Sequence, residues 1–282
     1  MRAIELTPEH PTEHLVELGL DAEQAGFDTV FASHHYNNRD PFAALAVLAE
    51  RTDEIRLGPG VTNPYETHPV TLASRVATLD ELADGRAVFG VGPGDPSTLR
   101  NLGLDDERGL RSVLESFQVA RRLWDGERVD HDGAFVARDA GLNYDVGEIP
   151  VYVGGEGPHM CRMAAKHADG LLFNGSHPDD LAWAADRVAE GLDERPTERG
   201  EFDLAAYASV SIAEDAAAAH EAARPDAMID AFCIAGEPDA VESRLRAVLE
   251  HADSIVIGAP LGPDPGTAIR LAGAVCDRCS PA

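Results

Sequence analysis

The sequence predicts a (β/α)8 barrel. Three observations carry that expectation: short apolar or β-branched runs recur along the whole chain, an amphipathic helical pattern follows most of them, and the runs number eight. The expected strands cover residues 3–6, 29–33, 55–61, 87–91, 149–154, 170–174, 204–211 and 254–258. After the first, EHLVELGLDAEQAG places Leu15, Leu18 and Ala22 on one helical face, and Gly26 is positioned to end the helix. After the third, TLASRVATLDELADG repeats the design with Gly85. The fourth runs into GVGPGDPSTLRNLG, a glycine-rich turn in which Asp95 or Ser97 can cap a helix. Residues 125–148 break the rhythm with hairpin-like turns and read as an insertion before strand five, lying over one end of the barrel. The fifth strand ends in Gly154, Gly155 and Gly157, with Pro158 suited to a helix start. After the seventh the connection to Ile234 is short and interrupted by Pro225. DAVESRLRAVLEHA then forms one more amphipathic helix before the eighth strand.

The competing architecture is a doubly wound open sheet, which announces a dinucleotide site by GxGxxG after its first strand. Here TPEHPTEH follows that strand, with no glycine. A length of 282 residues suits one barrel, so a single domain over residues 1–282 is expected.

The chain carries 23 basic and 50 acidic residues, a net charge of −27, and its only lysine is Lys166. The acids are spread between apolar segments, which excludes a disordered acidic tail and fits a surface adapted to high salt. Such a surface repels phosphates, so no nucleic-acid partner is expected. No uncharged apolar run approaches the ~20 residues of a bilayer span, so a cytoplasmic protein without a membrane partner is expected. Cys276 and Cys279 form a lone CxxC, read as two free thiols on a frayed C-terminal helix.

In a barrel the strand C-termini carry function. Glu5 interrupts the apolar run AIEL, and alternation turns it inward, where burial would raise its pKa and suit it to proton donation; a surface carboxylate is the alternative. ASHHYNNRD concentrates His34, His35, Tyr36 and Asn38 after strand two. Stacking and hydrogen bonding to a ligand fit this mixture better than metal, because adjacent histidines in extended chain point apart. No metal is expected. The bare amides of GGEG before a helix can hold a phosphate or form an ordinary turn.

The block GPGVTNPYETHPVTLASRVATLDELADGRAVFGVGPGD resembles the coenzyme F420-dependent methylenetetrahydromethanopterin reductases, of the bacterial-luciferase-like barrel superfamily. AIELTP, HYNN, IPVYVGGEGPHM, ADGLLFNGSHPDD, DLAAYASVSIAEDAAAA and GAPLGPD extend the resemblance over nearly the whole chain in the same order. It implies coenzyme F420 as cofactor, a tetrahydropterin as small-molecule substrate, and a homodimer or higher homo-oligomer. It also implies a bulge after strand three with a non-prolyl cis peptide at Gly60–Val61 behind the deazaflavin, from which Thr62 and Asn63 lead the chain out. Glu5 and Asp95 fall on the family's two acidic positions. Gly154 precedes Gly155, Glu156 and Gly157, which fall on the phosphate loop; Asn174 lies nearby, and His35 and Asn38 fall beside the ring.

Three departures accompany the likeness. His34 stands where the family usually has aspartate, Glu156 where it usually has glutamine, and the chain is shorter between Ala223 and Phe232. The implied activity is hydride transfer to the methylene carbon of a 5,10-methylene-tetrahydropterin. Methylenetetrahydrofolate stands beside methylenetetrahydromethanopterin, because the acidic composition points to a halophilic archaeon. Other readings are an FMN-dependent or another F420-dependent oxidoreductase of the same barrel group, and a metal-dependent barrel hydrolase using His34, His35 and His68.

Overall fold

The computed structural model describes residues 1–104, 109–223 and 233–279. Its first half runs β1 (Arg2–Leu6), α1 (Thr12–Gln24), β2 (Thr29–Ala32), α2 (Pro41–Ala49), β3 (Arg56–Pro59), α3 (Pro69–Leu82), β4 (Phe89–Val91), α4 (Pro96–Asn101) and α5 (Gly109–Trp124). A hairpin of β5 (Val129–Asp132) and β6 (Val136–Ala140) precedes β7 (Val151–Gly154), α6 (Pro158–His167), β8 (Gly170–Phe173) and α7 (Pro178–Leu192). The last part holds β9 (Asp203–Ile212), α8 (Ala216–Ala223), β10 (Cys233–Gly236), α9 (Pro238–Leu249), β11 (Ser254–Leu261) and α10 (Pro265–Cys279).

Proline marks the switch from strand to helix. It stands in the first turn of α2, α3, α4, α6, α7 and α9, where the backbone nitrogen has no helical partner and the fixed φ suits the helix. Asp40 and Asp95 cap α2 and α4 by accepting from the backbone N–H of Phe42 and of Thr98, each at 2.8 Å. The positions of these helix starts are thus set by local chemistry at the end of the barrel where the strands finish.

Among the described residues, β3, β2, β1, β11, β9, β8, β7 and β4 lie side by side in that order, every pair parallel. The cylinder closes between β3 and β4, where Val88 N–H donates to Leu57 O at 2.9 Å and Thr62 N–H donates to Gly90 O at 3.0 Å. The expected barrel is observed. Outward side chains pack against the helices in a continuous core, while Ala3, Phe31, Val88, Leu172 and Val256 fill the inside of the cylinder. No described helix is long and apolar enough to cross a membrane.

Four expectations need correction. Strand bounds differ at most ends; the third strand stops at Pro59 and the eighth continues to Leu261. The connection after β9 ends in an unanticipated strand: β10 pairs with the second half of β9, from Cys233 beside Ser209 to Gly236 beside Ile212. β9 spans ten residues and β8 covers only its first half, which leaves that edge open for β10. Pro225 and the shortened segment lie outside the described residues.

The hairpin does not cover an end of the barrel but lies along the outside of α3 and α5. The Glu115 carboxylate of α5 takes the Ala134 N–H at 2.6 Å and pairs with His131 at 2.9 Å. Val136 O lies 3.0 Å from Nε2 of His68 at the start of α3, and Tyr144, in the segment that follows the hairpin, meets Ser74 of α3 at 3.1 Å. The C-terminal helix is not frayed within its described length, because Val275 and Cys276 are buried in the main core.

Candidate active site

The site grows from one irregularity in the barrel wall. Bridges join Leu57 to Ala87 and Thr62 to Val91, so five steps of chain from Leu57 to Thr62 face four from Ala87 to Val91. The extra residue makes a bulge, and within it the Gly60–Val61 peptide is cis. A Cβ on Gly60 would stand 2.5 Å from the Cβ of Phe31, so only glycine lets the bulge close against β2. Asn63 then turns the chain outward: its Oδ1 accepts from the N–H groups of Tyr65 and Glu66, each at 3.1 Å, and its Nδ2 donates to Glu66 Oε1 at 2.5 Å.

In front of the bulge lies a cavity of about 470 Å³ at the C-terminal ends of the strands, within the 300–1,000 Å³ typical of small-molecule sites. Of the residues singled out in the sequence, Glu5, His35, Gly60, Val61, Asn63 and Asp95 line it. So do Gly154, Gly155, Glu156 and Asn174, at the ends of the neighbouring strands β7 and β8, with Gly154 close against Val61. Three others do not. Thr62 is fully buried behind the wall, where its hydroxyl meets His34 Nδ1 at 2.8 Å. Asn38 folds its own loop by donating its backbone N–H to His35 O at 3.0 Å. Gly157 is the exposed N-cap residue of α6, its carbonyl accepting from Met160 and Cys161.

Two carboxyls of the cavity stand in opposite surroundings. Glu5 is 4% exposed; burial pushes its carboxyl above the ordinary value, against the hydroxyls of Tyr207 and Thr7, which favour the charged form. Tyr207 OH donates to Oε2 at 3.1 Å, and Thr7 Oγ1 lies 3.2 and 3.3 Å from the two oxygens. The Ser33 hydroxyl is close enough to favour the carboxylate but closes no well-directed hydrogen bond, which leaves a buried polar atom facing the cavity. Asp95 is exposed, and the hydroxyl of Ser97 with the N–H of Thr98 holds its carboxyl below the ordinary value. One carboxyl thus favours its proton while the other favours its charge.

His34 also lines the cavity, and burial pushes its imidazole below the ordinary value, toward the neutral form. Glu156 accepts from Asn174 Nδ2 at 2.9 Å. His68 serves another purpose: it caps α3 and its Nε2 lies 3.0 Å from Val136 O of the hairpin. Among the described residues no group of three or more His, Cys, Asp or Glu could hold a metal.

Sequence reasoning missed Tyr207, Ser33, Thr7 and Phe31. Alternation along β9 places Ala205 and Tyr207 inward, the same signal that turned Glu5 inward, so Tyr207 could have been found. The Ser33 hydroxyl could not, because its value depends on a neighbour from another strand.

Fold and site together define a luciferase-like barrel, and the chain belongs to that family: the family model described as luciferase-like monooxygenase matches residues 2–225. Within it, the chain is 34% identical to the 5,10-methylenetetrahydromethanopterin reductase of Methanolobus tindarius, over 96% of this chain and 97% of that one. It is likewise 34% identical to the enzyme of the same name from Archaeoglobus fulgidus, over 96% of each. The solved structure of the coenzyme F420 dependent tetrahydromethanopterin reductase from Methanopyrus kandleri superposes with a TM-score of 0.87 at 30% identity, covering 96% of both chains. The first of these alignments runs over 317 residues, more than the 282 of this chain, so gaps open in this chain against that relative.

Proposed function

We propose that this chain reduces the methylene group of a 5,10-methylene-tetrahydropterin to a 5-methyl group, with reduced coenzyme F420 as hydride donor. The observation that carries the reading is the pair of carboxyls on one cavity, Glu5 favouring its proton and Asp95 its charge, in front of a bulged wall. The names of the relatives supply the substrate class and the cofactor.

The residues fit a flat conjugated group. Gly60 and Val61 offer a wall without a polar side chain, and Ser33 presents a buried hydroxyl that lacks a well-directed partner. Gly60, Val61 and Asn63 would back the ring, with Thr62 supporting them from behind and the loop of His35 and Asn38 at its side. Gly154, Gly155, Glu156, Gly157 and Asn174 would hold the phosphate end. When bound, the deazaflavin supplies a hydride and leaves oxidised.

In this reading the bond from the bridging carbon to N10 breaks, N10 gains a proton, and the bridging carbon gains the hydride to become the methyl on N5. Glu5 holds the proton and passes it to N10. Asp95, ionised, stabilises the positive charge that develops at N5 as the ring opens. The bulge and the carboxyls hold the reacting groups in position, which is where enclosure of this kind gains most.

Methanopterin is the pterin in the relatives' names; tetrahydrofolate is the second candidate, on the strength of the acidic composition. Assembly into a homodimer or larger homo-oligomer belongs to the same reading and is checked by light scattering. The deciding experiment is an anaerobic assay at high salt, with reduced F420 or NADH crossed against methylene-tetrahydromethanopterin and methylene-tetrahydrofolate. Oxidation of F420 coupled to methyl formation on one pterin is expected. Tight binding of FMN with no response to F420 would replace this reading by that of a flavin enzyme.

A further inference from the structure

Tyr207 and Glu5 lie 202 positions apart in the chain and meet inside the barrel, with the phenol donating to Oε2 at 3.1 Å. The meeting is built from two sides. β9 turns Tyr207 inward, and neighbouring β11 offers Gly258, where a Cβ would stand 2.0 Å from the Tyr207 oxygen. Any larger residue at that position displaces the hydroxyl.

We propose that Tyr207 is a positioning residue: by donating to Oε2 it leaves Oε1 as the oxygen that carries the acid proton, and it sets how tightly that proton is held. The inference rests on the reading of Glu5 as the acid of the reduction. A carboxylic acid has one O–H and one free acceptor oxygen. With Tyr207 donating to Oε2, the proton is directed to Oε1. Thr7, whose hydroxyl lies within 3.3 Å of both oxygens, can serve either state.

The other groups facing Glu5 are uncharged: Phe31 from β2 and Ser33 just after it, Gly60 after β3, and Val256 and Gly258 from β11. The charged or titratable groups that share its cavity are His34, His35, Glu66, Asp95 and Glu156, and none of them hydrogen-bonds to it. Among the described residues, Tyr207 is therefore the titratable side chain that hydrogen-bonds to the acid.

The test is a 13C NMR titration of the Glu5 carboxyl in ligand-free protein, its resonance assigned by its loss in Glu5→Gln. Tyr207→Phe keeps the ring and removes the donor, so the carboxyl should bind its proton about tenfold or more tightly, as expected for loss of a hydrogen bond to a charged group. Gly258→Ala, which displaces the hydroxyl instead of deleting it, should move the titration in the same direction. A titration unchanged in both variants overturns the proposal, because a merely structural tyrosine would alter stability alone. Under the proposed reduction, the high-pH limb of kcat moves upward with the carboxyl in Tyr207→Phe. If the carboxyl shifts and that limb does not, the positioning role stands and the assignment of Glu5 as the acid of the reduction fails.

Discussion

A buried carboxyl that favours its proton weakens the fold at high pH, and this gives Glu5 a signature apart from activity. Its folded value lies above the ordinary carboxyl value near 4.5, so the native state binds more protons than the unfolded state between those two pH values. Stability attributable to this group is greatest below the ordinary value and is lost as pH rises through the raised one. Glu5→Gln should therefore gain stability over the native chain in that window and above it, and lose the advantage below pH 4.5; thermal unfolding across pH measures this. The same variant should lose about 10²–10⁴-fold in kcat if the acid role is correct. Asp95→Asn separates charge from capping, since asparagine caps a helix about as well as aspartate. Stability near neutral pH should change little, while turnover falls about 10²-fold for loss of the charge. The cap at Asp95 was legible from GDPST because its partners lie two and three residues away. The partner of Glu5 was not, because chain distance hid Tyr207.

At the scale of elements, the bulge after β3 depends on glycine for space. Gly60→Ala would drive a methyl into Phe31, and overpacking of this kind costs about 1–3 kcal/mol; urea unfolding of the variant checks it. Ligand affinity should fall with stability, because the wall moves. The C-terminal helix makes a chemical prediction. Burial pushes the Cys276 thiol up to about 12 and Cys161 up to about 11, whereas Cys279 is only half-buried. A thiol reagent should label Cys279 first, with Cys276 and Cys161 reacting only on unfolding; mass spectrometry of the labelled protein reads the order. The frayed helix expected from CDRC failed because a short terminal motif says nothing about its packing. Val275 and Cys276 face the core through contacts with elements far away in sequence. β10 escaped for a related reason. A four-residue run of Cys, Ile, Ala and Gly carries little strand signal, and it becomes a strand because the edge of β9 is open beside it.

For the whole molecule, a net charge of −27 predicts that salt stabilises the fold. Raising ionic strength from 0.1 M to 1 M shortens the Debye length from about 10 Å to about 3 Å and screens repulsion among the carboxylates. The unfolding temperature should climb through the molar range of potassium chloride. A flat or falling dependence would show that the acidic surface is not an adaptation to salt. The eight-stranded plan, the helix start marked by Pro158 and the glycine-rich ends of β4 and β7 were all legible beforehand, since each is written in residues close along the chain.

What the sequence determined alone is periodicity and punctuation: which runs form strands, where helices begin, and which ends carry bare amides or a misplaced carboxylate. Those are local consequences of backbone and side-chain chemistry. The tertiary structure alone decided that Tyr207 reaches Glu5, that Phe31 confines Gly60, that the hairpin lies along α3 and α5, and that the terminal helix is buried. Each depends on strands or helices made neighbours by closure of the barrel, and no spacing along the chain encodes a distance across it.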